Sequence, residues 1–444
     1  MRVIHGLAAA RAAVLARPAM GEGVLPEHVV QRMAEVFGTP LTAEQAVQRI
    51  IADVRTQGDD ALLRYTRVLD GVANPTLLVT AAEIEAAYAT VDPVVLDAMR
   101  VAAGRIRSFH ETNKPATWVD FGGGLGQLVR ALDRVGLYIP GGRAAYPSTV
   151  LMTAIPAKVA GVPEVVLTTP PDRSGNANPL VLAAAKIAGI DRIVKAGGAQ
   201  AIAALAYGTA TVPRVDKICG PGNLFVVLAK RAVYGQVAID GLHGPSEAVV
   251  FADDSADPRL CAADLLAQAE HDELATSILV TNSARLLDAI QVEVERQLAT
   301  LERAEIIRHS LEGNGFCALV DGYDSCIELV NLIAPEHLSV MVSDPWSKVK
   351  GIRHTGAIFL GAPSAAAIGD YVAGPSHVMP TNSTARFSSP LRTEDFLKVT
   401  SLVALDAATA SALVPAAAAL ARAEGLTAHA RAIEARALPN GSAD

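Results

Sequence analysis

The sequence predicts an α/β protein of two doubly wound, Rossmann-like domains of similar build, with helical N- and C-terminal extensions. Three observations carry this expectation. Short β-branched runs alternate with amphipathic stretches through residues 135–234, the same rhythm resumes over 248–360, and a Gly/Pro/His-rich hinge at 241–246 separates the two. Such alternation builds parallel sheets covered by helices on both faces, with right-handed crossovers.

In the first stretch, strand 135–139 leads to a helix near 148–160 and strand 165–168 to helix 179–188. Strand 192–194 then leads to helix 199–207, and strand 215–218 to helix 224–234. In the second, strand 248–251 precedes helix 257–270, and strand 278–281 precedes helix 284–301. Segments 316–320, 325–333, 338–342 and 357–360 continue the pattern. Ahead of Asp133 the chain reads as helix, most clearly at 43–55 and 81–109. These helices are expected against the second sheet, which makes one domain discontinuous. The boundaries are placed at 1–30 for an N-terminal arm, 31–132 plus 247–380 for one α/β domain, 133–246 for the other, and 381–444 for a tail. The tail reads as strandless: an alanine-rich helix at 407–423 crossed by Pro415, a stop at Gly425, and a last short helix N-capped by Thr427.

Of 444 residues, 51% are apolar, 19% charged and 4% aromatic, so a packed, alanine-rich interior is expected rather than disorder. A net charge of −8 without a basic run excludes the electrostatic footprint of a nucleic-acid or anionic-lipid binder. The longest uncharged run, 196–213, is too rich in glycine and threonine for a membrane span. Cys219, Cys261, Cys317 and Cys326 form no C-x-x-C pair, which fits a reducing compartment. No secretory segment is evident, and the cytoplasm is expected. Residues 1–21 carry Arg2, Arg11 and Arg17 and no acid, a transit-peptide bias that an amphipathic arm explains more simply.

Three glycine-rich turns follow strands and precede helices: Gly141-Gly142, Gly197-Gly198 and Gly220-Pro221-Gly222-Asn223. Ligands bind there in open α/β sheets, and N–H groups at helix starts suit phosphates. None is a G-x-G-x-x-G fingerprint, so a dinucleotide would be held in another way, and any one pair alone is more often a plain turn. Gln268 and His271 lie at i and i+3 near a helix end, Asp370 follows Gly369 in a loop, and His429 lies in the first turn of the last helix. Such nitrogen and oxygen donors suit zinc, and manganese or cobalt as well; a solvated helix end explains His271 equally. Glu336-His337, after Ala334-Pro335, pairs a carboxylate that can activate water with an imidazole that can take an alcohol proton. Spacing alone leaves an ordinary surface pair open. His377 either binds or caps, and Cys219, before a Gly-Pro-Gly turn, is either an activated thiolate or a buried hydrophobe.

Taken in order, several blocks resemble the histidinol dehydrogenase family. They are Gly136-Leu137-Tyr138-Ile139-Pro140-Gly141-Gly142, Gly197-Gly198-Ala199-Gln200-Ala201-Ile202, Gly220-Pro221-Gly222-Asn223 and Gly244-Pro245-Ser246-Glu247. Gln268-Ala269-Glu270-His271-Asp272, Ala334-Pro335-Glu336-His337-Leu338, Gly369-Asp370-Tyr371 and Gly374-Pro375-Ser376-His377 complete the series. The resemblance implies oxidation of L-histidinol through L-histidinal to L-histidine with two NAD+, at the end of histidine biosynthesis. It implies one zinc ion per subunit on Gln268, His271, Asp370 and His429. Substrate contacts fall on Ser246, Gln268, His271, His337, Asp370, His377, Glu424 and His429, and NAD contacts on Tyr138, Gln200 and Asn223. Glu336 becomes the water activator and His337 the base of both steps. A homodimer is implied, in which Glu424 and His429 of one tail complete the neighbour's site. Cys219 has no catalytic role in the family; a cysteine-dependent aldehyde dehydrogenase and a non-catalytic zinc- or imidazole-binding module are the alternatives.

Overall fold

Runs rich in valine, isoleucine and leucine become the strands of a structure that, as a computed structural model, describes residues 1–17, 27–141, 145–190 and 192–437. In chain order these strands are β1 (Arg2–His5), β2 (Trp118–Asp120), β3 (Leu125–Ala131), β4 (Arg134–Tyr138), β5 (Glu164–Thr169), β6 (Arg192–Lys195) and β7 (Lys217–Cys219). They continue as β8 (Ala238–Ile239), β9 (Glu247–Ala252), β10 (Thr276–Thr281), β11 (Phe316–Leu319), β12 (His337–Met341), β13 (Ala357–Leu360) and β14 (Leu397–Val403). The chain divides into two units, Met1–Asn113 with Leu132–Phe396, and Lys114–Ala131 with Leu397–Asp444.

The first unit holds two parallel sheets, ordered β6-β5-β4-β7-β8 and β1-β11-β10-β9-β12-β13. Leaving β1 aside, both wind identically. The first strand sits centrally, the next two step to one side, and the last two step to the other, so the winding reverses between β4 and β7 and between β9 and β12. Helices cover both faces, which is why β9, for example, is buried along its whole length, without polar alternation.

Several expectations need correction. The early helices pack on the five-stranded half rather than on the second sheet: helix Ala43–Gln57 lies on helices Gly198–Tyr207 and Leu224–Val233. Alanines 199, 203 and 206 on helix Gly198–Tyr207 permit that close approach, in one core with Val47, Ile50 and Val54. The stretch 81–109 is two helices, Ala81–Thr90 and Pro93–Thr112, because Asp92 caps the second by accepting from Val94 N at 2.8 Å and Pro93 cannot continue the first. The N-terminal extension is not purely helical either, since β1 adds in parallel to β11 at the sheet edge.

The second unit is an antiparallel sheet, β14-β3-β2, followed by helices Ala407–Ala423 and Thr427–Glu434. β14 overturns the strandless tail. Most of its residues are exposed, so it carries no apolar alternation to read. Pro415 sits inside its helix without ending it, Gly425 does end it at φ +76°, and Thr427 is the first helical residue rather than the cap. Gly142, residues 18–26 of the arm and 438–444 of the tail lie outside the described residues. Among the described residues no helix is long and apolar enough to cross a membrane.

Within the five-stranded half, Lys230 and Asp240 form an ion pair at 1% side-chain exposure each. Lys230 Nζ also donates to Gly220 O at 3.0 Å, and Asp240 Oδ2 accepts from Gly220 N at 2.7 Å. Burial alone would raise the Asp240 carboxyl, but Lys230 and His243 more than offset it and hold it well below its ordinary 3.8. A depressed carboxyl stabilises the fold above pH about 4, and that contribution is lost as pH falls further. Lys230→Met should cost about 3–5 kcal/mol in urea unfolding at neutral pH, because a buried charge is left alone. Lys230→Met/Asp240→Leu should recover most of that loss; equal losses in the single and double variants would show that packing, not charge, is at stake.

Candidate active site

Helix Gly322–Ile333 stops where Ala334 adopts φ +49° and Pro335 removes an N–H. The tight turn sets Glu336 and His337 at the amino end of β12. They are 7% and 4% exposed, so the pair is buried rather than an ordinary surface pair. Glu336 Oε2 accepts from Glu247 N, at the start of the neighbouring β9, at 3.0 Å. The His337 ring stacks on Phe359 of β13 with centroids 6.0 Å apart. Its Nε2 lies 2.9 Å from Asp370 Oδ1, while Nδ1 is 3.6 Å from Glu336 Oε2, too far for a hydrogen bond. Asp370 is carried by a π-helical turn, Gly369–Ala373, a distortion common at functional sites. Burial alone would lower His337, but the two carboxylates push it up to about 10, so at rest it is an imidazolium.

Of the other predicted residues, His271 and His377 lie within electrostatic reach of Asp370. Gln268, in the last turn of helix Pro258–Ala269, is 2% exposed, and its Oε1 has no hydrogen-bond partner. His271 follows two residues past that helix and is exposed. Burial would raise Asp370, yet His337, His377 and His271 together hold it below the usual carboxylate value. His377 Nδ1 donates to Asp370 O at 2.7 Å, and its Nε2 lies 3.0 Å from Thr149 Oγ1, while burial pushes the ring below its ordinary value. Both ring nitrogens are thus engaged, and His377 ties the Asp370 turn to helix Pro147–Ala160. Ser246 lies just ahead of β9, its carbonyl accepting from Thr276 N at 2.9 Å. Glu424 and His429 lie exposed in the second unit. Among the described residues no group of three or more His, Cys, Asp or Glu is placed to hold a metal by itself.

Asp264 escaped the sequence reading. It accepts from Ser339 Oγ at 2.6 Å, burial raises its carboxyl, and the charge of His337 tempers that rise. A signal existed: Asp264, Gln268 and His271 fall at i, i+4 and i+7, one helical face.

The other predicted cluster lies at the carboxyl edge of β4 and β7, where the five-stranded sheet reverses its winding. Tyr138 ends β4, its hydroxyl accepts from Gly198 N at 3.1 Å, and burial pushes it up to about 12. Gln200 is buried in the first turn of helix Gly198–Tyr207, with Oε1 lacking a partner. Asn223 caps helix Leu224–Val233 through Oδ1, accepting from Val226 N at 3.2 Å, which leaves its amide N–H groups free of that role. Gly220 is obligatory: φ is +115°, and a Cβ there would lie 2.1 Å from Tyr138 O. His243, also missed from sequence, sits 3.3 Å from Asp240 Oδ2, with Nδ1 2.8 Å from Met379 O. Asp240 and His243 thereby connect the Gly220 turn to the segment bearing His377. Cys219 is fully buried, and burial pushes its thiol far above the ordinary range, so no thiolate nucleophile is on offer.

These features define an α/β protein with a buried glutamate–histidine pair at the amino edge of one sheet and a glycine-rich turn at the carboxyl edge of the other. The sequence profile of the family described as histidinol dehydrogenase matches residues 38–437. The histidinol dehydrogenase of Deinococcus radiodurans is 51% identical over 440 residues, covering 98% of this chain and all of the relative. That of Moorella thermoacetica is 53% identical over 395 residues, 88% of this chain and 93% of its own. The crystal structure of histidinol dehydrogenase from Elizabethkingia anophelis superposes with a TM-score of 0.90 at 35% identity, covering 98% of each chain. The chain belongs to the histidinol dehydrogenase family, a family of oxidoreductases.

A histidine raised from 6.5 to about 10 contributes ion-pair stability that is complete below about pH 6.5 and lost as pH rises through about 10. Metal-free protein should therefore lose thermal stability across that window, and His337→Gln should flatten the loss. An unchanged slope in the variant would mean that His337 rests neutral.

Proposed function

We propose that this chain oxidises L-histidinol through L-histidinal to L-histidine with two NAD+, as a zinc-requiring cytoplasmic homodimer acting at the end of histidine biosynthesis. The observation that carries this reading is the buried Glu336–His337–Asp370 cluster at the amino edge of β12.

The residues suit the implied groups. The partnerless Gln268 Oε1, together with His271 and Asp370, offers nitrogen and oxygen donors appropriate to zinc, with His429 supplied by a second copy. When bound, the metal would orient an imidazole- and amine-bearing substrate, and NAD+ would accept hydride. Tyr138, Gln200 and Asn223 at the β4/β7 edge are the proposed dinucleotide contacts. Ser246, His377 and Glu424 of the second copy complete the substrate contacts.

His337 keeps its proton while Asp370 and Glu336 both face it. With Asp370 engaged elsewhere, the ring releases its Nε2 proton to solvent, and the freed Nε2 takes the hydroxyl proton as hydride leaves the carbinol carbon. Glu336 then takes a proton from water as its oxygen adds to the aldehyde carbon, while His337 returns its proton to the carbonyl oxygen, giving the hydrate and a free Nε2. His337 takes the hydrate's hydroxyl proton as the second hydride leaves, and the product is the carboxylic acid. A hydrate is again a carbinol, so one base serves both oxidations. Burial of the pair keeps bulk water from the intermediate. The homodimer is supported by the second unit, which exposes Trp118, Val403, Leu420 and Phe121, the last at 92%.

With L-histidinol and NAD+, turnover should fall by about 10²–10⁴ in His337→Asn. Glu336→Gln should slow oxidation of supplied L-histidinal more than it slows the alcohol step. Equal slowing of both steps would contradict the division of labour. Cys219→Ala should retain nearly full activity, and its inactivity would revive the thiol route.

A further inference from the structure

A buried carboxylate that the proposed chemistry does not use lies beside the reacting pair. Glu247 begins β9 at 3% exposure, and its own N–H holds Glu336 Oε2 at 3.0 Å. Its Oε2 accepts from Asn382 N at 3.0 Å, and its Oε1 pairs with the Arg17 guanidinium. Two acids therefore share one dry corner, with Arg17 the one cation paired to Glu247 among the described residues.

The route by which Arg17 arrives is built into the fold. β1 is zipped to β11, and helix Leu7–Leu15 packs on helix Gly322–Ile333, with Arg11 bonded to Glu328 at 2.6 Å. The latter helix ends in the turn that presents Glu336. The arm thus runs along the element that makes the site and delivers Arg17 to its corner. Residues 1–37 lie outside the span matched by the family profile, 38–437.

We propose that Arg17 is a positioning residue for the chemistry at Glu336, pinning the Glu247 side chain and cancelling its charge where the Glu247 N–H holds the Glu336 carboxylate. The proposal rests on the function proposed above.

The charges around this corner set the expectation. Burial pushes the Glu247 carboxyl up from its ordinary value, Arg17 opposes that, and Glu336 pushes it up again. Beyond Glu336, His337 faces Asp370, Asp264 and His377. Without the guanidinium, Glu247 stands as an uncompensated negative charge beside Glu336, and that corner gains a proton to relieve it. Such a charge opposes the one Glu336 must carry to activate water.

The test is the pH–rate profile of L-histidinal oxidation by the full-length, zinc-loaded enzyme. In Arg17→Ala the acid limb should move up by about one pH unit or more. Arg17→Lys should stay near the parent, and Arg17→Ala/Glu247→Gln should move back toward it. An acid limb in Arg17→Ala that superposes on the parent's overturns the proposal, as does a double variant that stays shifted. Infrared spectroscopy reads the same pair without turnover, and so separates this proposal from the functional one. A protonated-carboxyl band should appear at neutral pH in Arg17→Ala and vanish in Arg17→Ala/Glu247→Gln; absence of that band, even in an inactive protein, counts against the role of Arg17.

Discussion

The His337 imidazolium, clamped without solvent between Asp370 and Glu336, is the interaction on which the rest of the site depends. A buried cation survives only when its charge is answered, and the surrounding backbone is bent to supply the answer. Ala334 takes up a left-handed conformation so that a helix can end and a strand begin with Glu336 between them. A π-helical turn aims Asp370, and His377 holds that turn by its carbonyl. Asp264, below on helix Pro258–Ala269, adds a third acid within electrostatic reach. In the proposed mechanism the cluster holds its proton at rest and becomes a base when a carboxylate is drawn away, which would couple substrate assembly to activation.

Two sheets of identical winding are used in opposite ways. Open α/β sheets bind ligands at the carboxyl ends of their strands, and the five-stranded sheet offers Tyr138, Gly198, Gln200 and the Gly220 turn there. The six-stranded sheet instead places Glu247, Glu336 and His337 at its amino ends. Asp240 and His243 link the two: Asp240 accepts from Gly220 N, His243 Nδ1 lies 2.8 Å from Met379 O, and the two side chains approach to 3.3 Å as an ion pair.

Much of this was legible in the sequence, for physical reasons. Strands buried on both faces read as uniform apolar runs, so β4 to β13 were placed within a few residues, apart from the two-residue β8. β14 is solvated and carries no periodic signal, β2 is only three residues long, and β1 is a strand only because β11 offers its edge. The docking of helix Ala43–Gln57 depended on alanine-lined contact with a helix some 150 residues away in the chain, which local pattern cannot assign. In the site, Glu336 and His337 were found by residue type, but their burial was not, because it comes from β9 and β13 on either side. Asp264 and Gln268 share a helical face that could have been read together. Arg17 and Glu247 are brought together only by the tertiary fold.

One stoichiometry bears most directly on a single buried base serving two oxidations. When limiting L-histidinol is exhausted by the zinc-loaded protein in excess NAD+, NADH should accumulate to two per histidinol with histidine as product. A plateau at one, with histidinal released, would contradict a site in which a single buried base serves two successive oxidations.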